Sequence, residues 1–254
     1  MDKSLKISAF ALIITLLSCN SNPNTNSLMV ATAANLRFAM EELNLAFEKE
    51  TGIKVEMITA SSGKLTAQIK NGAPYDVFLS ASFKYPQTLF QEGYTLDEPL
   101  LFCKGVLVIW TNKDITIDST LEMLKNDKLQ KIAIANPQNA PYGIAAEEVL
   151  KRLHLYDEIK PKLIFAENVS QLNQYIINNA CDVGITSKSA VLTSQLKNIG
   201  RWKELNPDLY SPVMQYVVAL KSSTNQKESA KKYVEFLSSK KAVSILRAYG
   251  YEMN

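Results

Sequence analysis

Residues 28–65 have the sequence LMVATAANLRFAMEELNLAFEKETGIKVEMITASSGKL, and this stretch decides the fold class. It opens with a short apolar run, after which apolar side chains recur at helical spacing: Leu36, Met40, Leu43 and Phe47. Gly52 is predicted to end that helix, because glycine readily adopts the left-handed conformation found just beyond a helix C-terminus. Residues 53–57 then alternate between apolar and polar side chains, which is typical of a strand. The stretch therefore predicts a strand–helix–strand unit.

The same alternation continues to the C-terminus. Further strands are predicted at 76–79, 107–110, 131–135, 163–165, 182–185 and 212–220, and helices at 65–70, 118–125, 144–153, 171–178 and 227–249. Such short connections predict an α/β protein whose sheets are mainly parallel, with helices on both faces. Two extended segments, around residues 106–110 and 213–220, are placed where the chain could cross between two lobes.

Composition restricts the class of protein. The apolar fraction of 46% and the charged fraction of 21% are ordinary values for a globular chain. The formal charge is +3, and removing residues 1–18, which contain two lysines and one aspartate, leaves +2. Because this charge is small and the lysines are scattered, we do not expect a nucleic-acid partner.

The first nineteen residues are typical of an export signal. Lys3 and Lys6 precede an apolar run at 7–17, which is shorter than the roughly 20 residues that cross a bilayer. The run ends in LLSC at 16–19, which resembles the bacterial lipobox, where cleavage leaves a lipidated Cys19; an ordinary signal peptide is the alternative. Residues 20–27 form an Asn-rich polar tract, predicted to be a disordered tether. We therefore expect an extracytoplasmic lipoprotein held at the membrane by its lipid.

Only two cysteines follow Cys19. Cys103 and Cys181 have neither a CxxC motif nor metal-ligand spacing. A disulfide between them is compatible with an oxidising compartment, but two unpaired, buried thiols are favoured because small buried cysteines are common.

Small and hydroxyl-bearing residues follow several predicted strands, where the next helix begins. These junctions are ATAANL at 31–36, ASSGKL at 60–65, NPQNAPYG at 136–143 and AENVS at 166–170. Free N–H groups and the positive end of the helix dipole favour an anion there. Serine and asparagine are also ordinary N-caps, so no single junction indicates a ligand. Four junctions divided between two blocks make an anion site as good an interpretation as capping alone.

The motifs that common enzyme classes need are incomplete in this sequence. Ser62-Gly63-Lys64 superficially resembles a phosphate loop, but that motif needs a glycine where the chain has Ile58. His154 is the only histidine, and it lies at the charged end of a predicted helix, where a surface position is favoured over a catalytic one. No second histidine is left for a Ser–His–Asp triad or a histidine-based zinc site. We predict a protein that is not an enzyme and has no cofactor and no direct cation ligands.

Several motifs together resemble the periplasmic molybdate-binding proteins of the ModA type. They are AANL (33–36), ASSGKL (60–65), QI (68–69), GAPYDVFLSA (72–81), PYG (141–143), DVGI (182–185) and RAYGY (247–251). The resemblance covers the chain from Leu28 onward. It implies a type II periplasmic binding fold in which lobe 1 (28–105 plus 219–254) and lobe 2 (106–218) close on the anion. It also implies a monomer that delivers molybdate or tungstate to an ABC permease and its ATPase.

The resemblance implies specific ligands. First-lobe contacts fall on Asn35 and Ser62, and second-lobe contacts fall on Tyr142 and Val169, chiefly through backbone N–H groups. Asn35 keeps a side-chain donor at a position that is serine in many members, so it is expected to bind the anion.

Ser187 departs from the family pattern, since some members place a tyrosine there whose hydroxyl reaches the oxyanion. Either Ser187 or Thr186 substitutes for it, or the site has one side-chain donor fewer. Lys64 is a candidate counter-charge, although a solvated lysine in the first helical turn is favoured. The alternative ligand is another tetrahedral oxyanion such as sulfate, which needs the same shell of donors.

Overall fold

The computed structural model describes residues 27–221, 224 and 226–253, which form two five-stranded sheets. The predicted signal peptide, the tether before Ser27 and the lipidation site at Cys19 lie outside these residues. Among the helices of the described part, none is both long and apolar enough to cross a bilayer.

Strands and helices alternate largely as predicted. The strands are β1 (Ser27–Ala33), β2 (Lys54–Ala60), β3 (Val77–Ser80), β4 (Leu100–Gly105), β5 (Leu107–Thr111), β6 (Ile132–Ala135), β7 (Leu163–Ala166), β8 (Val183–Ser187), β9 (Arg201–Glu204) and β10 (Val213–Ala219). The helices are α1 (Arg37–Thr51), α2 (Ser62–Lys70), α3 (Lys84–Gln91), α4 (Pro141–Arg152), α5 (Tyr156–Ile159), α6 (Val169–Ile177), α7 (Lys188–Val191), α8 (Lys227–Phe236) and α9 (Lys240–Ala248).

Local signals explain where individual elements begin and end. Gly52 follows α1 in the left-handed conformation, as predicted, and its N–H donates to the carbonyl of Glu48. The helix predicted at 118–125 is wrong, since only a 3-10 turn forms at Glu122–Lys125. Asp118 accepts a hydrogen bond from the Met123 N–H and so stabilises a bend before that turn.

The first sheet has the strand order β2-β1-β3-β10-β4. Strand β1 is parallel to β2 and β3, whereas β10 runs antiparallel to β3 and β4. The chain therefore returns to the first lobe before Val213, earlier than the predicted boundary at residue 218. The reason is that Val217, Val218 and Ala219 are all buried, so β10 needs the interior position between β3 and β4.

The second sheet has the order β7-β6-β8-β5-β9. Strand β6 is parallel to β7 and β8, whereas β5 is antiparallel to β8 and β9. Both sheets are thus mixed, with a parallel part that is covered by helices. The chain crosses between lobes from β4 to β5, as predicted, and again between β9 and β10.

The first lobe packs α1 against the C-terminal helices. The ring of Phe47 meets those of Tyr233 and Phe236 edge-on, at centroid distances of 5.0 and 5.4 Å. The Tyr233 hydroxyl donates to Oδ1 of Asn44, and both residues are buried. A polar pair thus lies inside an aromatic cluster, where each group finds its partner.

Cys103 and Cys181 are buried free thiols, which confirms the favoured interpretation over a disulfide. Burial raises the pKa of Cys181 to about 11 and raises that of Cys103 well above its ordinary value. Both thiols therefore remain protonated at neutral pH.

Candidate functional site

The residues predicted to contact an anion all lie where a strand ends or a helix begins. Asn35 lies in a 3-10 turn after β1, Ser62 and Val169 are the first residues of α2 and α6, Tyr142 is the second residue of α4, and Ser187 ends β8. Each is at most 4% exposed. The site therefore combines starts of helical turns from both lobes.

Hydrogen bonds between the lobes bring these junctions together. The Gly63 N–H donates to the Asn139 carbonyl at 3.0 Å, the Ser170 hydroxyl to the Ala34 carbonyl at 3.4 Å, and the Ser189 hydroxyl to the Asn35 carbonyl at 2.7 Å. All four predicted junctions thus take part in one boundary between the lobes. The contacts place the first turns of α2 and α6 on opposite sides of a closed cleft.

Ser62 has the side chain best prepared to donate a hydrogen bond. Its Oγ accepts from the Ala81 N–H at 3.1 Å, which fixes the position of the oxygen. Its own hydrogen meets no acceptor among the described residues. The neighbouring Ser61 plays a different part, because its Oγ caps α2 by accepting from the Lys64 N–H.

Asn35 is held by a buried network instead of pointing a free amide into the cleft. Its Nδ2 donates to Oε1 of Gln215 at 2.9 Å and to the Tyr251 hydroxyl at 3.3 Å. The Tyr251 hydroxyl in turn donates to the Asn35 carbonyl at 2.7 Å. Both amide hydrogens are therefore used within the protein, and the donor left for a ligand is the backbone N–H.

The hydroxyls of Ser187 and Thr186 are also engaged. The oxygens of Ser187 and Ser189 lie 3.0 Å apart, and because Ser189 gives its hydrogen to the Asn35 carbonyl, Ser187 is the donor of that pair. Thr186 donates to Oδ1 of Asn173 at 2.6 Å. In this arrangement neither hydroxyl has a hydrogen to offer an anion.

Tyr142 places its phenol against the crossing from β4 to β5. A Cβ atom at Gly105 would overlap the Tyr142 hydroxyl, so only glycine leaves the space. Burial raises the pKa of Tyr142 well above its ordinary value, and burial does the same for Tyr251. Both phenols therefore stay neutral at physiological pH.

Lys64 is an exposed side chain in the first turn of α2, as favoured from the sequence, and its charge is paired with a carboxylate. Its Nζ lies 2.6 Å from Oε1 of Glu167, in the other lobe. The pair is about half exposed and spans the two lobes beside the first turns of α2 and α6. Its charges cancel each other, so the buried donors nearby remain the main attraction for an anion.

A separate open groove of about 260 Å³ also crosses the lobe boundary. Phe83 and Tyr216 border it from the first lobe, and Pro141 and Ile144 from α4. It contains none of the five residues predicted to bind the anion.

Sequence reasoning missed Gln215, Tyr251 and Ser189. Gln215 is a polar residue within the apolar strand β10, and that contrast is the local signal that could have identified it. Tyr251 lies in the C-terminal motif that contributed to the family resemblance, which implied no contact for it. Ser189 carries no signal beyond its place after β8.

Comparison with known proteins gives consistent matches over nearly the whole chain. The sequence profile of the bacterial extracellular solute-binding proteins matches residues 28–252. The molybdate-binding protein ModA of Rhodobacter capsulatus is 35% identical over 224 residues, covering 88% of this chain and 87% of that protein. ModA of Azotobacter vinelandii is 33% identical over 252 residues, covering 99% of both.

A solved structure supports the same relationship. The periplasmic molybdate-binding protein of Azotobacter vinelandii superposes with a TM-score of 0.85 at 34% identity, over 90% of this chain and 100% of that one. The α/β two-lobe fold predicted from the sequence is confirmed.

Proposed function

Because this chain belongs to the bacterial extracellular solute-binding proteins and has ModA proteins as relatives along nearly its whole length, we propose that it binds molybdate for import by an ABC transporter. The observation that carries this proposal is the set of helical first turns, two from each lobe, that meet across a closed cleft. Its function is to capture and deliver the anion, without catalysis.

Neutral donors are sufficient for a doubly charged anion. Hydrogen bonds to charged groups contribute about 1.5–3 kcal/mol each, and the start of a helix adds its dipole. The proposed donors are the Ser62 hydroxyl and the backbone N–H groups of Asn35, Tyr142 and Val169. Since these groups are buried and fixed by their helices, little reorganisation opposes binding.

Tungstate is proposed as a second ligand, because it has nearly the size and charge of molybdate. Sulfate is smaller, so donors fixed on two lobes cannot all reach it at good length. Phosphate near neutral pH usually carries a proton that needs an acceptor, and an unmatched buried polar group costs about 1–3 kcal/mol.

Titration calorimetry on the ligand-stripped protein tests the proposal. We expect molybdate and tungstate to bind about 10²- to 10⁴-fold more tightly than sulfate, equivalent to two lost charge-assisted hydrogen bonds, and phosphate to bind hardly at all. Sulfate or phosphate binding as tightly as molybdate would contradict the ligand assignment.

We further propose that Cys19 carries a lipid that holds the protein at the extracytoplasmic face of the membrane, where it meets the permease that an ATPase drives from the other side. The support is the LLSC motif at 16–19 followed by a polar tract. Replacing Cys19 by Ala should release soluble or unprocessed protein on membrane fractionation. Unchanged membrane association would contradict the lipid anchor.

A further inference from the structure

We propose that Tyr251 and Gln215 are positioning residues of the oxyanion site and that they act through Asn35. This inference rests on the proposed function, because it concerns how the same cleft holds its ligand. Asn35 then presents a backbone N–H to the ligand, and its side chain serves as the anchor.

The hydrogen bonds of Asn35 carry the first step. The two side-chain amide hydrogens of Asn35 go to Gln215 at 2.9 Å and Tyr251 at 3.3 Å. Its backbone carbonyl accepts from Tyr251 and Ser189, each at 2.7 Å. An amide has two hydrogens and a carbonyl oxygen has two lone pairs, so these groups are fully used. The first N–H groups of a helical turn have no partner inside the turn and remain for a ligand.

Gln215 and Tyr251 are themselves held at the two crossings between the lobes. Gln215 lies near the start of β10, and its Nε2 donates to the Val213 carbonyl at 2.8 Å. Tyr251 precedes Glu252, whose backbone exchanges two hydrogen bonds with Lys104 near the end of β4. The turn that contains Asn35 is therefore hydrogen-bonded to residues beside both segments that connect the lobes.

The burial of Gln215 and Tyr251 indicates that their polar groups have a specific role. Gln215 is fully buried within an apolar strand, and Tyr251 is 4% exposed. Burying an amide or a hydroxyl costs free energy unless it is hydrogen-bonded, so an apolar side chain would be the simpler choice for packing. What the polar side chains add is a defined orientation for Asn35.

Tyr251→Phe is the direct test, with Tyr233→Phe as its matched control. Both variants remove a buried tyrosine hydroxyl that is hydrogen-bonded to an asparagine of the first lobe. We expect both to lower the melting temperature of the ligand-free protein. Only Tyr251→Phe should weaken molybdate binding, by roughly 2- to 13-fold, the equivalent of one net hydrogen bond. Equal molybdate affinities in the two variants would overturn the inference.

A double-mutant cycle establishes whether Tyr251 acts through Asn35. Asn35→Ala removes the side-chain amide but keeps the backbone carbonyl to which Tyr251 donates. Adding Tyr251→Phe should therefore weaken molybdate binding further, but by a smaller factor than Tyr251→Phe does alone. Losses that multiply in full would show that the Asn35 side chain takes no part in the effect of Tyr251 and would overturn the inference that this side chain is the anchor. If Asn35→Ala does not fold, the comparison of Tyr251→Phe with Tyr233→Phe still tests whether Tyr251 positions the site.

The wild-type measurement separates this inference from the proposed function. A wild-type protein that binds no tetrahedral oxyanion overturns the proposed function and the inference with it. A wild-type protein that binds molybdate with unchanged affinity in Tyr251→Phe overturns the inference alone.

Discussion

Two buried tyrosine–asparagine pairs join the N-terminal part of the first lobe to its C-terminal part, and they differ in their surroundings. Tyr233 donates to Asn44 within an aromatic cluster of the lobe core. Tyr251 donates to Asn35 at the boundary between lobes, where the Ser189 hydroxyl reaches the same carbonyl. Burial raises the pKa of both tyrosines, so their chemistry is alike. The surroundings of each pair therefore decide whether it serves stability or ligand geometry.

The largest effect is expected at two adjacent serines, which differ in the same way: Ser62 is proposed to donate to the ligand, whereas Ser61 stabilises a helix. Ser62→Ala should weaken molybdate binding about 10- to 150-fold, because it removes a donor to a charged ligand. Ser61→Ala should leave affinity near that of the wild type and cost about 1 kcal/mol of stability, because Ser61 caps α2. Calorimetry and thermal unfolding on both variants measure the two quantities. Wild-type affinity in Ser62→Ala would remove its hydroxyl from the site.

Gly105→Ala should disturb the boundary while leaving the Tyr233 pair intact. The new methyl group overlaps the Tyr142 hydroxyl, and overpacking costs about 1–3 kcal/mol, so molybdate binding should weaken roughly 5- to 150-fold. Adding Tyr142→Phe removes the atom that clashes and keeps the backbone N–H. The double variant should therefore recover part of the affinity, and a further loss would contradict the role given to Gly105.

Much of the fold could be predicted from the sequence because its signals are local. The alternation of apolar runs, Gly52 and the C-terminal helices all depend on neighbours within a few residues. The position of β10 could not be predicted, because it depends on pairing with β3 and β4, which are distant in sequence.

The candidate site shows the same limit. The junctions that contain Ser62, Tyr142 and Val169 could be identified from residue types and family resemblance. The expectation that Asn35 offers its side chain could not be checked in that way, since its partners are 180 and 216 residues away. A sequence pattern identifies a donor group, but only the fold shows which acceptor uses its hydrogen.

Ser187→Ala should have a smaller effect than either substitution above. The Ser187 hydroxyl donates to Ser189 and so affects the site only through Ser189. We expect molybdate affinity to fall by about 2- to 5-fold, the lower part of the range for one net hydrogen bond. Ser189→Ala, which removes the direct bond to Asn35, should weaken binding more. The reverse order in calorimetry would indicate that Ser187 contacts the anion itself.

The smallest expected effect concerns the ion pair between Lys64 and Glu167, which joins the lobes without belonging to either buried pair. Exposed ion pairs contribute about 0.2–1 kcal/mol, so Glu167→Gln should weaken binding by at most about fivefold. Because the pair forms between lobes, the change should appear mainly as faster molybdate release in stopped-flow measurements. The change in release rate should also diminish as salt is raised, since exposed charges are screened.

The ion pair between Lys151 and Glu147, within α4, offers the control. Glu147→Gln removes an ion pair inside one lobe and should leave the release rate unchanged. Equal release rates in Glu167→Gln and Glu147→Gln would show that the Lys64–Glu167 pair does not hold the cleft closed.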